Sequence, residues 1–203
     1  MNILGLSLGI LSTAALLKKN KIVACVSEER FSHLKNDESF PLQAIDYVLN
    51  EGGIEGVEID AVVIAGHRLN LNTHLMRKYS KWSISEHFAI MNEYWKPKLL
   101  DGKNPDFNKI FQNKIDIEQH PGSDKWNELL EKVSGGYHDE KDEVIYKDFI
   151  HCLVAEYLNI ARDKIIHLDH HSCHAAYAYW ASPIRGPETL VITADAFGDG
   201  LST

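Results

Sequence analysis

The chain has 203 residues, 44% of them hydrophobic and 25% charged. That composition can bury a core and excludes disorder, collagen-like repeats and a disulfide-stapled miniprotein. Lys and Arg number 21 against 29 Asp and Glu, a formal net charge of −8, which argues against a general nucleic-acid-binding role because phosphate backbones demand a cationic face, and leaves room only for a local basic patch. Cys25, Cys152 and Cys173 form no CxxC and cannot all pair internally; they read as reduced thiols of a cytoplasmic protein. The apolar start up to Leu17 carries its positive charge, Lys18 and Lys19, after the apolar run and not before it. It therefore reads as folded structure and not as a signal peptide, and it is too short to cross a membrane.

Leu4, Leu6 and Leu8 recur at period two, predicting a strand. A small turn over 9–13 leads into two apolar runs, Ala14–Leu17 and Lys21–Ser27, which suit a hairpin around Lys19-Asn20. Pro41 suits the first turn of a helix whose apolar face is Leu42, Ile45, Val48 and Leu49, and Gly52-Gly53 can end it. The continuous apolar run of Asp60–Ala65 predicts a buried parallel strand. From His67 to about Lys147 the pattern loosens into an insertion holding Trp82, Trp95 and Trp126, with short helices expected over Ser85–Tyr94 and Asp124–Val133. Those tryptophans could stack on a sugar face, although core packing is the commoner fate of an aromatic by roughly three to one.

Order returns with helical spacing at Phe149, Ile150, Leu153, Val154, Tyr157 and Leu158. A strand over Lys164–Leu168, a helix over His170–Ala181 stopped by Ser182-Pro183, and a strand over Thr189–Ala194 follow. The order βββ-α-β-(insertion)-α-β-α-β makes an α/β fold with a mixed sheet. It matches a ribonuclease H-like half, the unit repeated in the actin and sugar-kinase superfamily, with a largely helical insertion. On that reading residues 1–186 form the first half, with the insertion at about 67–147, and 187–203 open a second.

Three stretches carry chemistry. In Asp169-His-His-Ser-Cys-His174, residues four apart on a helix share a face, so His170 and His174 can grip one metal ion, iron or zinc. A zinc protease would need Glu directly after the first His; His171 stands there instead, and it is left to contact substrate. The bland alternative is a pair of histidines lining a helix start; an i,i+4 pair beside an Asp favours a ligand site by roughly two to one. Asp195-Ala-Phe-Gly198-Asp199-Gly200 follows a predicted strand, where glycines let backbone amides approach phosphate and a carboxylate holds magnesium or accepts a proton; a plain hairpin turn would look the same. In the charged stretch from Ser27 to Pro41, Arg30 and Lys35 can hold an anionic group, against the reading of a solvated loop with local ion pairs.

Together these stretches resemble the N-terminal part of the NodU/CmcH-type carbamoyltransferases. The resemblance is carried by Gly5 to Gly9, by Glu28-Glu29-Arg30-Phe31 with Lys35, Asp37, Phe40 and Pro41, by His170-His171 with His174-Ala175 and Ser182-Pro183, and by Asp195 with Gly198 to Gly200. It spans nearly the whole chain apart from the middle. It implies transfer of a carbamoyl group from carbamoyl phosphate, through a carbamoyl-adenylate made with ATP, to a hydroxyl of a sugar-type or natural-product acceptor. Under it His170 and His174 are ligands for Fe2+ or Zn2+, Asp195 is the candidate base or metal-site carboxylate and, with His171, a catalytic candidate, and Arg30 and Lys35 hold the carbamoyl donor. Gly198, Asp199 and Gly200 approach the nucleotide, with Mg2+ a further candidate ion. The implied partners are small molecules, with no nucleic acid and no membrane, and a homodimer is the oligomer considered. Two positions depart from the family pattern: Ile10-Leu11 stands where a His or His-Asp is usual, and Asn36 replaces the middle His of K-H-D. These departures leave open a non-catalytic or truncated paralogue that binds metal or a protein partner. Relatives that transfer carbamoyl groups in threonylcarbamoyl formation or hydrogenase maturation also pair histidines four apart, but lack the EERF segment.

Overall fold

The computed structural model describes residues 1–9, 11–33, 35–37, 40–66, 84–106, 140–195 and 198–199. The chain divides into two compact units, one of Met1–Leu69 with Val154–Thr203 and one of Asn70–Leu153.

In the first unit, β1 (Asn2–Ser7), β2 (Thr13–Lys18) and β3 (Lys21–Ser27) form an antiparallel meander. Its second turn is Lys19-Asn20, both with positive φ (52° and 61°), the type I′ backbone that matches the twist of a two-residue hairpin. Helix α1 (Glu29–Ser32) is a single turn, and α2 (Leu42–Gly52) then carries the chain to β4 (Ala61–Ala65), which lies parallel to β1. The last strand, β5 (Ile165–Leu168), pairs in parallel with β4. The sheet order is β3-β2-β1-β4-β5, so β1, the first strand made, is the middle one.

One face of the sheet is the core. Leu4 and Leu6 of β1 stand opposite Leu16 and Ala14 of β2 and opposite Val62 and Ile64 of β4, and all six are buried. Helix α2 buries Ala44, Ile45, Val48 and Leu49 and packs on β2 and β3, and each fully buried aliphatic side chain contributes about 1.5–3 kcal/mol. Gly53 (φ 56°) closes α2 in the left-handed conformation, and Lys18 Nζ donates to the Gly52 carbonyl at 2.7 Å, a cation at the helix's negative end. A side chain at Gly52 would meet Leu16 at 2.3 Å, so helix and sheet approach as closely as a glycine permits.

The second unit contains α3 (Ile84–Ala89), which runs through a widened π turn (Ile90–Trp95) into α4 (Lys96–Leu100). The wide turn stands directly before Pro97, whose missing amide and bulky ring both disturb a regular helical ladder. The expected helix over Ser85–Tyr94 is thus part of a longer one, and that over Asp124–Val133 lies outside the described residues. Trp95 is half-buried, edge-on to Tyr94, with Lys98 over both rings. Trp82 and Trp126 lie outside the described residues. Helix α5 (Glu140–Leu158) starts well before its apolar stripe. Tyr146, Phe149, Ile150 and Leu153 are buried in the second unit and Val154 and Leu158 in the first.

After β5, helix α6 (His170–Ala181) begins where expected. The run Thr189–Ala194, expected as a strand, pairs with no neighbour among the described residues. It keeps a strand's alternation, with Leu190 and Ile192 81% and 80% exposed and the residues between them partly buried. Composition supplies the alternation, but a strand exists only through its ladder.

The register aligns the carboxyl ends of three parallel strands. Ser7 stands opposite Ala65, and Ala65 opposite Leu168. From β1 the chain turns back into β2, while β4 and β5 build outward on its other side. The carboxyl end of such a switch in direction is where open α/β sheets place their sites, and α6 starts two residues beyond it. Among the described residues no helix is long and apolar enough to cross a membrane.

Candidate metal centre

Asp169 connects β5 to α6 and is its N-cap: the Ser172 amide donates to its carboxylate at 2.7 Å. That bond, with a lesser contribution from the Ser172 side chain, holds the Asp169 carboxyl below its ordinary range. Starting the helix here puts His170 and His174 on one face, one turn apart. Asp195 arrives from the segment that follows α6. His170 Nε2 lies 2.7 Å from Asp195 Oδ2, His174 Nε2 lies 3.2 Å from the same oxygen, and the two ring nitrogens are 3.0 Å apart. All three donor atoms fall within 4.8 Å of one another.

This arrangement fits a divalent transition metal. Two basic imidazole nitrogens in contact require a shared proton or cation between them, and a carboxylate oxygen stands at both. Donors about 2.1 Å from an ion are about 3.0 Å apart at right angles and about 3.4 Å apart at tetrahedral angles. The observed 2.7, 3.0 and 3.2 Å are of the size that donors around one such ion would have. Two histidines and a carboxylate on one face, with the other positions open, is a donor set that suits ferrous iron. The site faces solvent: the side chains of His170 and Asp195 are about one-third exposed and that of His174 is 55% exposed.

Two backbone devices hold the site. The Gly66 amide donates to the Leu168 carbonyl at 2.7 Å and the Gly66 carbonyl lies 2.8 Å from His167 Nδ1, tying the end of β4 to the end of β5. The His170 amide donates to Asp199 Oδ2 at 2.7 Å. Cys173, one residue before His174, has its thiol pushed up in pKa by burial and then by Asp169 and Asp199, and it stands outside the donor set.

The other predicted site residues are distributed differently. His171, the other catalytic candidate, is 8% exposed with its ring edge-on to that of His170. Arg30 is exposed, 3.8 Å from the Glu29 carboxylate, and Lys35 is exposed. Gly198 and Asp199, expected at a nucleotide phosphate, lie against His170, and Gly200 is outside the described residues.

Glu28 had no individual role in the sequence reading. It is 3% exposed, and its carboxylate accepts from the Ala44 amide at 2.8 Å and from the Gln43 amide and side chain at 3.2 Å each. Those amides open α2, whose cap position is Pro41, a residue with no side-chain acceptor. The acidic residue ahead of an uncapped helix was the available signal. Close by, the Ser12 hydroxyl is fully buried without a hydrogen-bond partner among the described residues, and Leu11 before it holds a left-handed φ of 69°.

An uncharacterized protein of Synechocystis is 38% identical over 91 residues, 43% of this chain and 15% of that protein. An uncharacterized protein of Methanocaldococcus jannaschii is 38% identical over 95 residues, 45% of this chain and 18% of that protein. The matched stretch is thus less than one-fifth of either relative's length. The family model described as carbamoyltransferase N-terminus matches residues 2–203, and with a match over that span the chain belongs to the carbamoyltransferase N-terminal family.

Proposed function

We propose that this chain supplies the metal-holding part of an O-carbamoyltransferase of the NodU/CmcH type, built on a ribonuclease H-like half. The single observation carrying the proposal is the convergence of His170 Nε2, His174 Nε2 and Asp195 Oδ2 at the carboxyl edge of the parallel strands. The antiparallel β3-β2-β1 meander continued by parallel β4 and β5 supports the fold reading. The donor is read as carbamoyl phosphate, activated with ATP as a carbamoyl-adenylate, and the acceptor as a hydroxyl of a sugar-type or natural-product molecule. Family membership supports carbamoyl transfer, and the motif resemblance supports these particular substrates.

A divalent ion held by the triad supplies a Lewis acid for the carbamoyl carbonyl. Asp195 is assigned to the donor set and not to the base role, because a cation beside a carboxylate lowers its basicity. His174 and His170 offer ring nitrogens, and the N-cap at Asp169 keeps both on the face that meets Asp195. Exposed Arg30 and Lys35 are read as holding an anionic donor.

The test has two parts. Elemental analysis of the purified chain should find close to one equivalent of iron or zinc, and His174→Ala should lose it; unchanged metal content would refute the ligand assignment. The full-length gene product, given carbamoyl phosphate, ATP and sugar acceptors, should form carbamoyl-AMP and a carbamoylated product. Metal retained without either product would instead favour the non-catalytic paralogue.

A further inference from the structure

His170 is confined from two directions by residues outside the donor set. A side chain at Gly198 would begin 2.1 Å from His170 Cδ2, 2.5 Å from Cγ and 2.7 Å from Nε2, all inside any real carbon contact. Gly198 is not among the positive-φ residues, so the backbone does not demand glycine; the imidazole does. The ring has neighbours on three further sides, although about one-third of the side chain is exposed. His174 lies 4.6 Å from it on one side and His171 5.5 Å on another, and its Nε2 is held at Asp195.

Asp199 fixes the other end of the same residue. Its Oδ2 accepts the His170 amide at 2.7 Å. Its own backbone is left-handed, φ 50°, a conformation that a short polar residue tolerates. Its Oδ1 lies 3.4 Å from where a Gly66 side chain would start, and Gly66 itself is at φ +95°. The carboxylate also stands at the positive end of α6, where negative charge is stabilising.

We propose that Gly198 and Asp199 are positioning residues for His170, Gly198 by leaving room for the imidazole face and Asp199 by holding the backbone amide. Ring and backbone are then both set, and with them the direction of Nε2 toward Asp195. The proposal deepens the metal-site reading and rests on it for the affinity readout alone.

Two measurements on the 203-residue chain test it. The first titrates Co2+ alone, followed by its visible absorption. Gly198→Ala should weaken binding by about 10- to 100-fold, the usual cost of disturbing an outer partner of a ligand. Asp199→Asn, which keeps an oxygen acceptor, should bind nearly as the parent does, and Asp199→Ala should bind more weakly. In a His170→Ala background Gly198→Ala should cause no further loss, because the group it displaces is gone. The second measurement is long-range 1H–15N spectroscopy of the metal-free imidazoles, in which Gly198→Ala should displace the His170 signals. Parent-like Co2+ affinity with unmoved His170 signals would overturn the proposal, as would a full additive loss in the His170→Ala background. If the parent binds no Co2+ while the His170 signals still move, the metal-site reading fails and the positioning role stands.

Discussion

Replacing Glu28 by Ala should unfold the first unit far more readily than any exposed charge of the same segment would suggest. The carboxylate is buried and takes the Ala44 amide at 2.8 Å and the Gln43 amide at 3.2 Å, with the Gln43 side chain as a third donor. Hydrogen bonds to a charged group contribute about 1.5–3 kcal/mol each, and buried donors left alone cost about 1–3 kcal/mol. Water entering the vacated space returns part of this, and loss of a helix cap alone costs about 0.5–2 kcal/mol. The expected net loss is about 2–4 kcal/mol, or a fall in Tm of about 5–15 °C for a chain of this size. Urea and thermal unfolding followed by circular dichroism measure it. Glu28→Gln should fall between parent and Ala, since one oxygen remains to accept while the new amide faces a donor. Arg30→Ala, at an exposed ion pair 3.8 Å long, should change stability by no more than about 0.5 kcal/mol. A Glu28→Ala loss of that same small size would refute the capping argument and return the segment to a purely ligand-holding role.

Ser12→Ala removes a buried hydroxyl that has no partner among the described residues and should leave stability unchanged or raise it by up to about 1 kcal/mol; a clear loss would mean that the hydroxyl has a function in the fold. Tyr157 donates to Asp46, and its phenol is shifted upward in pKa by burial first and then by Asp46. A raised value means that this stabilisation is complete below the ordinary phenol range and is lost as pH rises through the folded-state value. Tyr157→Phe should therefore cost about 1 kcal/mol near neutrality and flatten the alkaline decline. Unfolding curves at neutral and strongly alkaline pH would show both effects, and a parallel decline in parent and variant would count against it. Cys25 is exposed while the Cys173 thiol is held protonated, so iodoacetamide should label Cys25 first, as peptide mapping would show.

What the chain discloses before folding depends on how local each cause is. Leu4, Leu6 and Leu8 announce a strand by spacing alone, Lys19-Asn20 a hairpin, and the four-residue interval from His170 to His174 a shared helical face. Asp195 could be singled out by its turn motif, but only the fold puts its Oδ2 within 2.7 Å of a ring 25 residues away. Helix α5 begins at Glu140, earlier than expected, because its charged first turns carry no apolar period. The buried carboxylate of Glu28 depends on amides 15 and 16 residues downstream, a separation at which no periodicity exists to be read. Gly198 is the hardest case. A glycine selected for φ often sits in a recognisable turn, whereas one selected for space is visible only when the occupant of that space is known.

The unpaired run from Thr189 to Ala194 sets how the purified chain will behave at high concentration. It alternates partly buried and exposed residues, it pairs with no neighbouring strand among the described residues, and it turns Leu190 and Ile192 almost wholly to water. Such an edge is a template for another chain in the same state. Protein handled as this 203-residue piece should therefore associate through residues 189–194, and a single lysine at Ile192 should keep it in solution by making the edge repel its own copy.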